Sequence, residues 1–395
     1  MFELTNEIRS YAWGSHTAIA EFLGRPSASG EPEAELWIGA YPGFASRLPD
    51  GKTLAQFIAE DPEAALGAAA VARFGPRLPF LMKVLAIGSP LSLQAHPNAA
   101  QAVAGFAAEE AAGVPLDDPT RNYRDARHKP EMLCALTPVE ALCGFRAVED
   151  TVAMLGELAV PELEGLREAL VESGLQRGVR WILDLADDDI PVVVSALARA
   201  LPSVDIGTYS SALHWLSRLA DQYRRDRGVI LALLCDFVRL EPGEALVIPA
   251  GCLHAYLSGV GVEIMAESDN VLRGGLTAKH VDVVDLQGVL DLNGDGPKRL
   301  RGVPDSTGRT SFPTDVAEFD LIRRSITDAV VLEGSRPRLI LTVDGSARLR
   351  SPDGTVLDLP RGAAAFVSAA EHGIQISGPA VVFEASTGQS PPSDS

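Results

Sequence analysis

The sequence predicts a mainly β protein that is interrupted by a helical insertion, and two changes of texture along the chain support this. Residues 1–150 alternate short strand-like runs with Gly- and Pro-containing turns, apart from an alanine-rich helical patch at 98–112. Residues 151–227 instead carry apolar side chains at helical spacing, and strand-like runs return from about Gly228. We therefore expect one β barrel built from 1–150 and 228–286, with 151–227 inserted between its two parts.

Two segments in the first part of this barrel place polar side chains on one face of a strand. In the segment 91–97, strand alternation turns three polar side chains to the same side, namely Ser92, Gln94 and His96. In the segment 128–131, Pro130 favours an extended conformation for Lys129, so that Lys129 and Glu131 share a side. A half-buried strand with a polar inner face is what a site inside a small barrel requires.

The segment 243–254 follows the insertion and reads Gly-Glu-Ala-Leu-Val-Ile-Pro-Ala-Gly-Cys-Leu-His. It predicts a strand, a Pro-Ala-Gly turn and a histidine at the start of the next strand. Pro249 fixes one backbone angle, and Gly251 permits a tight turn. The spacing Gly-x5-Pro-x-Gly-x2-His is similar to the second sequence motif of the cupins, small jelly-roll barrels that hold a metal ion in their mouths. His254 is therefore a candidate metal ligand, because neutral imidazole is the commonest one.

The candidate ligands form a mixed nitrogen and oxygen set. Two imidazoles, one carboxylate and one amide oxygen are available, from His96, His254, Glu131 and Gln94. Such a set suits zinc, with manganese or iron as borderline alternatives. It also leaves one coordination position of the metal open for a water molecule and hence for chemistry.

The chain beyond residue 286 predicts a second β unit. The stretch 286–314 is rich in Gly, Asp, Pro and Arg and is typical of an irregular connection. Farther on, the run that begins Leu-Pro-Arg-Gly at 359 is weakly similar to the strand before His254. If the spacing is the same in both segments, Gly373 occupies the position that corresponds to His254. We expect 287–388 to form a second jelly roll without a metal site, and 389–395 to be a disordered tail.

Six segments together resemble type I mannose-6-phosphate isomerases (phosphomannose isomerases), which belong to the cupin superfamily. They occur in that family's order, and they span most of residues 1–286: 11–15 (Tyr-Ala-Trp-Gly-Ser), 34–39 (Ala-Glu-Leu-Trp-Ile-Gly), 91–97 (Leu-Ser-Leu-Gln-Ala-His-Pro), 128–131 (His-Lys-Pro-Glu), 140–146 (Glu-Ala-Leu-Cys-Gly-Phe-Arg) and 265–277 (Met-Ala-Glu-Ser-Asp-Asn-Val-Leu-Arg-Gly-Gly-Leu-Thr). Two positions depart from the family pattern: Tyr41 stands where histidine is frequent, and Glu267 lies inside the last segment.

The resemblance implies a fold, a cofactor and a reaction. The first unit would be a cupin-like jelly-roll catalytic barrel with one zinc ion per chain, held by Gln94, His96, Glu131 and His254. The reaction would be the interconversion of mannose 6-phosphate and fructose 6-phosphate, which moves a proton between C2 and C1 through a cis-enediolate. The resemblance also implies that Arg273 is catalytic.

The overall charge excludes some partners and constrains the site. A formal net charge of −19 argues against nucleic acid and against anionic membranes. No apolar run is long enough to span a bilayer, and the first residues lack a signal-peptide pattern, so we expect a cytoplasmic protein, as a monomer or weak homo-oligomer. The four cysteines show no framework spacing and predict reduced, mostly buried thiols.

A sugar phosphate is itself an anion, so its site must be locally positive. Four cations fall within or near the motif segments, namely Lys83, Lys129, Arg273 and Lys279. Lys83 interrupts an apolar strand-like run, so it predicts either a pocket lysine or a lysine that extends from the barrel rim to solvent. We favour the pocket, and the candidates for binding the substrate or its phosphate are Lys83, Ser92, Lys279 and Tyr256.

Three residues are equal candidates for carrying the proton between C2 and C1: Glu263, His128 and Lys129. Two other functions stay open on the sequence alone. A non-catalytic sugar-phosphate sensor would keep the same pocket, and an iron-dependent cupin oxygenase would use a similar ligand set. The cations fit an anionic substrate better than O₂. A separate nucleotidyl-transfer activity is disfavoured, because no additional Gly-rich nucleotide domain is visible.

Overall fold

The computed structural model describes residues 1–26, 30–204, 207–332 and 334–388, and within these ranges it contains twenty β-strands and eleven α-helices. The strands are β1 (Phe2–Leu4), β2 (Glu7–Arg9), β3 (Glu35–Ile38), β4 (Phe80–Ile87), β5 (Leu93–Ala95), β6 (Glu131–Ala135), β7 (Val139–Phe145), β8 (Cys235–Leu240), β9 (Glu244–Ile248), β10 (His254–Ala266), β11 (Leu272–Gly275), β12 (Lys298–Arg301), β13 (Arg309–Ser311), β14 (Asp320–Ile326), β15 (Val330–Val331), β16 (Arg338–Arg350), β17 (Val356–Pro360), β18 (Ala364–Val367), β19 (Gln375–Ser377) and β20 (Ala380–Ser386).

Among the described residues, five helices have eleven or more residues and the other six have five to seven. They are α1 (Ala18–Phe22), α2 (Leu54–Glu60), α3 (Pro62–Leu66), α4 (Ala68–Phe74), α5 (Ala99–Ala111), α6 (Val148–Leu158), α7 (Glu164–Leu183), α8 (Ile190–Ala200), α9 (Ser210–Gln222), α10 (Gly228–Ala232) and α11 (Val283–Val289). The described part of the chain contains no single helix with the length and apolar character needed to cross a bilayer.

The first sheet is organised around the long strand β10. All of its pairings are antiparallel, in the order β12-β9-β6-β10-β4-β3-β2. The start of β10 instead pairs with β5 and β7, which continue to β11 and β8. β10 therefore belongs to both groups of strands: its first residues pair with β5 and β7, and its later residues pair with β4 and β6. In this way it closes the barrel and brings residues from distant parts of the chain to one mouth. The mainly β prediction with a barrel of this kind is confirmed.

The insertion lies between β7 and β8 and consists of α6 to α10. Its apolar faces pack in one core with residues of the barrel, including Leu93 and Leu142. The helical spacing predicted for 151–227 is present, but helix continues through α10, so strand structure returns at Cys235 rather than at about Gly228. The alanine-rich patch is also helical: α5 begins after Asn98, whose side chain accepts a hydrogen bond from the backbone N–H of Gln101.

The second sheet follows the order β1-β18-β16-β20-β14-β13, with β15, β17 and β19 paired alongside. Between residue 320 and residue 388, the described residues form strands and connections without a helix, in agreement with the predicted second β unit. The predicted disordered tail at 389–395 lies outside the described residues.

Three features of the fold differ from the sequence-based boundaries. β1, at the start of the predicted first unit, pairs with β18 of the second sheet, and β12, within 287–388, pairs with β9 of the first. Both exchanges put apolar side chains of the two sheets into one shared core, which includes Leu36 and Phe366. The helices α1 to α4 were not predicted; the signal for α2 is its Thr-x-x-Gln capping box, which Thr53 and Gln56 form.

Candidate metal centre and active site

Three strands of the first sheet bring the candidate metal ligands together. His254 opens β10 directly opposite Gln94 of β5, and Glu131 opens β6 opposite the far end of β10. His96 follows β5 by one residue, with its side chain on the same face as Gln94. The turn before His254 uses Gly251 at φ +74°, where an added Cβ would lie 2.8 Å from the backbone of Asp291, so only glycine fits.

The ligand atoms converge on one point. The Nε2 atom of His96 lies 3.3 Å from Glu131 Oε1, and the Nε2 atom of His254 lies 3.4 Å from Glu131 Oε2. The side-chain amide of Gln94 lies 3.5 Å from His254 Nε2, and rotation about its last bond presents its oxygen there. The three ionisable residues are buried and form the one cluster of its kind found among the described residues.

Backbone carbonyl groups fix the orientation of both imidazoles. His96 Nδ1 lies 2.7 Å from the carbonyl oxygen of Asn270, and His254 Nδ1 lies 3.0 Å from that of Cys252. A carbonyl only accepts, so each Nδ1 carries a proton and each Nε2 is the ring nitrogen that faces Glu131. This outer support is typical of metal-binding histidines.

The residues present fit a bound divalent cation. Within the described residues, His96 Nε2 and Glu131 Oε2 are buried without a hydrogen-bond partner, a costly arrangement unless something else satisfies them. Two ligands about 2.1 Å from one zinc ion at the tetrahedral angle would be about 3.4 Å apart, close to the separations observed here. The donor set, two imidazole nitrogens with carboxylate and amide oxygens, suits zinc.

The ionisation states also suit metal binding. Burial, reinforced by the charge of Lys129, lowers the pKa of His96 to about 4, so this imidazole is neutral at physiological pH. Burial alone would raise the pKa of Glu131, but the His96 and Lys129 side chains outweigh it and hold the pKa well below its usual range. Lys129 Nζ lies 3.2 Å from Glu131 Oε1. The site therefore presents an ionised carboxylate and a neutral imidazole.

A cavity of about 480 Å³ opens beside the ligands and contains most of the predicted site residues. Its lining includes Gln94 and Glu131 together with Lys83, Ser92, Lys129, Tyr256, Glu263, Arg273 and Lys279. The sequence-based candidates for substrate binding thus share one cavity with two of the metal ligands. His96 and His254 lie directly behind that wall, fully buried.

Lys83 points into this cavity rather than toward the rim. Its ammonium group lies 3.5 Å from Glu35 Oε2, 3.8 Å from Glu263 Oε2 and 4.5 Å from the centre of the Trp37 ring. Burial alone would lower the pKa of Lys83, but the carboxylates of Glu35 and Glu263 outweigh it and raise the pKa. The pocket interpretation of Lys83 is therefore the correct one, and its charge is compensated as buried charges require.

A second group of cations lines the same cavity. It consists of Arg124, Arg273 and Lys279. Burial lowers the pKa of Arg273, and burial together with the charge of Arg273 lowers that of Lys279. Asp269 Oδ2, 3.6 Å from Arg124 Nε, offsets only part of this positive charge. A concentration of like charges in a cleft is what an anionic group would bind.

The structure places His128, one of the predicted candidates for carrying the substrate proton, outside the cavity that contains the others. Its Nε2 atom lies 2.8 Å from Glu318 Oε1, and its side chain lines a different cavity, between the barrel and the segment before β14. The reason is the same alternation that brings Lys129 and Glu131 together: if these two face inward, the residue before Lys129 faces outward.

The comparisons with known proteins agree with this geometry. Residues 1–148 match the family model of the phosphomannose isomerase type I catalytic domain. The chain is 34% identical to mannose-6-phosphate isomerase of Escherichia coli K12 over 386 residues, which is 96% of this chain and 97% of the relative. It is 36% identical to that of Salmonella typhimurium LT2 over 398 residues, with the same coverage of each chain. The chain belongs to the type I mannose-6-phosphate isomerase family.

A solved structure of this family extends the likeness to the whole fold. The crystal structure of mannose 6-phosphate isomerase from Salmonella typhimurium, bound to its substrate fructose 6-phosphate and to zinc, superposes with a TM-score of 0.89 at 33% identity. The superposition covers 98% of this chain and 100% of that one. The cupin-like character of the barrel is thereby confirmed.

Several cavity residues were not among the predicted site residues, although some of them lie in family segments. Glu35 and Trp37, on β3, hold Lys83, and their signal was the conspicuous polar and aromatic pair in the Ala-Glu-Leu-Trp segment. Arg124 lies outside the six segments, so no motif pointed to it. Tyr41, a departure from the family pattern, packs against the Trp37 ring with centroids 5.3 Å apart and is not part of the cavity lining.

The thiols agree with the prediction of reduced, buried cysteines. All four are free and buried. Cys143 Sγ lies 3.8 Å from Cys252 Sγ, and Cys252 supports the site through its backbone, by accepting the hydrogen bond from His254.

Proposed function

We propose that this protein is a zinc-dependent aldose–ketose isomerase that interconverts mannose 6-phosphate and fructose 6-phosphate. The observation that carries the proposal is the position of the His96, Glu131 and His254 cluster at the wall of a cavity that also contains a group of cations. A metal site and a group of cations in one cavity match a substrate that carries both vicinal oxygens and a phosphate. Family membership supports the same reaction.

The cations Arg124, Arg273 and Lys279 are proposed to bind the phosphate. Guanidinium groups bind phosphate oxygens in pairs, and a lysine adds a point charge. Ser92, which lines the same cavity, adds a hydroxyl donor. Because the phosphate does not react, this binding energy orients C1 and C2 against the metal ligands, which accelerates the reaction by positioning.

Zinc held by Gln94, His96, Glu131 and His254 would act as a Lewis acid that stabilises the negative charge developing on the sugar oxygens O1 and O2. The chain itself supplies further positive charge near the reacting carbons. The ammonium groups of Lys83 and Lys129 are fixed by Glu35 and Glu131, respectively, so they need little reorganisation when charge develops on a substrate oxygen.

Glu263 is proposed to carry the proton between C2 and C1. Its carboxylate is buried, lines the cavity and lies 3.8 Å from Lys83 Nζ. Burial, together with the negative charge of Glu131, raises the pKa of Glu263 to about 7, close to the value that suits a general base at neutral pH. In the forward direction Glu263 would take the proton from C2 and return it to C1. Lys129, the other cavity candidate, is occupied by its contact with Glu131.

Substitution of this residue gives a test of the proton carrier. We expect Glu263→Gln to lower kcat by about 10²- to 10⁴-fold with zinc still bound, because a general base contributes about that factor. The ionised form is the active one, so wild-type kcat/KM should fall as the pH drops below the pKa of Glu263. That midpoint should lie at or below pH 7, since zinc would offset the charge of Glu131. The pH–rate profile is the measurement, and an unchanged acidic limb in Glu263→Gln would assign the proton to another group.

The reaction itself is tested by comparing a phosphorylated sugar with its unphosphorylated form. Protein reconstituted with zinc should convert mannose 6-phosphate to fructose 6-phosphate and should be at least about 10³-fold less efficient on unphosphorylated mannose, because the phosphate supplies remote binding energy. Equal efficiency on both sugars would contradict the assigned phosphate group. Tight binding of mannose 6-phosphate without conversion would indicate a sensor.

We further propose that the protein works in the cytoplasm, as a monomer or a weak homo-oligomer. Four buried free thiols suit a reducing compartment. Light scattering across a range of protein concentrations measures the assembly directly. A stable dimer at the lowest concentration would contradict this part of the proposal.

A further inference from the structure

The helical insertion reaches the active-site cavity at the loop that carries two of its cations. Gln222 and Tyr223, at the end of α9, line the cavity together with Leu276 and Thr277. Asp226 follows in the short connection to α10. The insertion therefore contacts the site itself and not only the outside of the barrel.

The carboxylate of Asp226 joins these two parts of the chain. Its Oδ1 atom accepts a hydrogen bond of 2.7 Å from the N–H of Gly228, which is ordinary for a turn. Its Oδ2 atom accepts one of 3.0 Å from the N–H of Thr277, which is 51 residues away in the sequence. The backbone N–H of Leu276 also donates to this carboxylate. A residue that served only its own turn would have no need of the second and third bonds.

Two glycines make this contact possible. A Cβ atom added to Gly275 would lie 2.2 Å from Asp226 Oδ1 and 2.5 Å from the Cα atom of Gly228. A Cβ atom added to Gly228 would lie 2.7 Å from the Cα atom of Gly275. The two backbones thus touch directly, and any side chain at either position would displace the carboxylate.

The loop beyond this contact is held in a strained conformation. Leu276 has φ +56°, in the left-handed region that a leucine seldom adopts, and its side chain is buried. Such a conformation persists only where the surroundings over-determine it. Arg273 precedes this turn and Lys279 follows it, and the pairing of β11 with β5 shifts register between Arg273 and Gly275. The pairing between β11 and β5 therefore does not by itself determine the path of the chain through this turn.

We propose that Asp226 is a positioning residue: its carboxylate holds the turn at Leu276 so that Arg273 and Lys279 converge on the same anionic group. It acts through the loop and does not touch the substrate. The inference rests on the proposed function, because the group being positioned is the phosphate of the substrate. It assigns the helical insertion a part in substrate binding.

The test compares Asp226→Ala, Asp226→Asn and the wild type, each with its zinc content measured. We expect Asp226→Ala to keep its zinc and to lose about 10- to 100-fold in kcat/KM for mannose 6-phosphate, mostly through KM, because a displacement of about 1 Å at a positioning group has an effect of this size. The dissociation constant of an unreactive polyol phosphate, mannitol 6-phosphate, should rise by a similar factor. Asp226→Asn retains one acceptor oxygen and the same volume, so its loss should be smaller.

Hydrogen exchange separates positioning from general destabilisation. In Asp226→Ala, the amides of 272–279 should lose protection while those of the barrel strands keep it. Asp221→Ala is the matched control: this exposed aspartate near the end of α9 pairs with Arg224, at 3.6 Å, and its substitution should leave kcat/KM and exchange unchanged.

Two results would overturn the inference. One is unchanged kcat/KM and unchanged mannitol 6-phosphate affinity in Asp226→Ala; the other is a loss of zinc and of protection throughout the barrel, which would make the role purely structural. If the wild type itself fails to convert mannose 6-phosphate, the proposed function is overturned instead, so the two failures are distinguishable.

Discussion

Substitution of one imidazole ligand, His254→Ala, is expected to remove zinc from the protein and to lower kcat/KM by at least about 10³-fold, since a Lewis acid contributes several kcal/mol and each 1.4 kcal/mol or so is a factor of ten in rate. His254 is fully buried, and its Nε2 atom faces Glu131 at 3.4 Å. Alanine offers no donor, and the remaining carboxylate, imidazole and amide leave the metal without one of its two nitrogen ligands. Zinc content measured after dialysis, together with kcat/KM, gives the result.

The matched control is His128→Ala. This imidazole is also close to the metal ligands in the sequence, but it faces the second cavity and Glu318. Its ion pair is partly exposed, so its loss should change the free energy of unfolding by no more than about 1 kcal/mol. We expect wild-type zinc content and kcat/KM within about two-fold of wild type. Retention of zinc and activity in His254→Ala would contradict the assigned ligand set.

Arg273→Ala is expected to keep its zinc and to lower kcat/KM by about 10²- to 10³-fold, because it removes part of the phosphate-binding energy that orients C1 and C2 against the metal ligands. The Arg273 side chain lines the cavity, whereas its backbone pairs with that of Gln94 and is unaffected by the change. Arg273→Lys keeps the charge but loses the planar fork, so its activity should be intermediate.

Arg218→Ala is the control for this prediction. Arg218 lies over the Trp215 ring in the helical insertion and is not part of the active-site lining. Its substitution should leave kcat and KM unchanged. Normal turnover in Arg273→Ala would remove this residue from the mechanism, and loss of zinc from the same variant would make its role indirect.

Alternation along strands explains why the metal ligands could be predicted from the sequence. Gln94 and His96 differ by two residues, as do Lys129 and Glu131, and each pair does share a face in the structure. The turn before His254 added a second local signal. These inferences needed only neighbours in the sequence, and the order of family segments then joined the separate strands into one site.

Contacts between distant parts of the chain could not be predicted in the same way. β1 pairs with β18 and β12 pairs with β9, and neither strand has a local feature that selects its partner. The same limit applies to Arg124, which lies in a loop where no strand or helix periodicity indicates the direction of its side chain. It also applies to Asp226, which meets Thr277 only because the insertion packs on the barrel. For the short helices α1 to α4, tertiary packing dominates over their weak local signals.

The most direct test of the central claim removes the metal and returns it. We expect chelator treatment of the purified protein to abolish the conversion of mannose 6-phosphate to fructose 6-phosphate, and about one zinc ion per chain to restore it, because the buried His96, Glu131 and His254 side chains have no other common partner among the described residues. Full conversion by the metal-free protein would contradict the account. So would binding of mannose 6-phosphate by the zinc-loaded protein without any turnover.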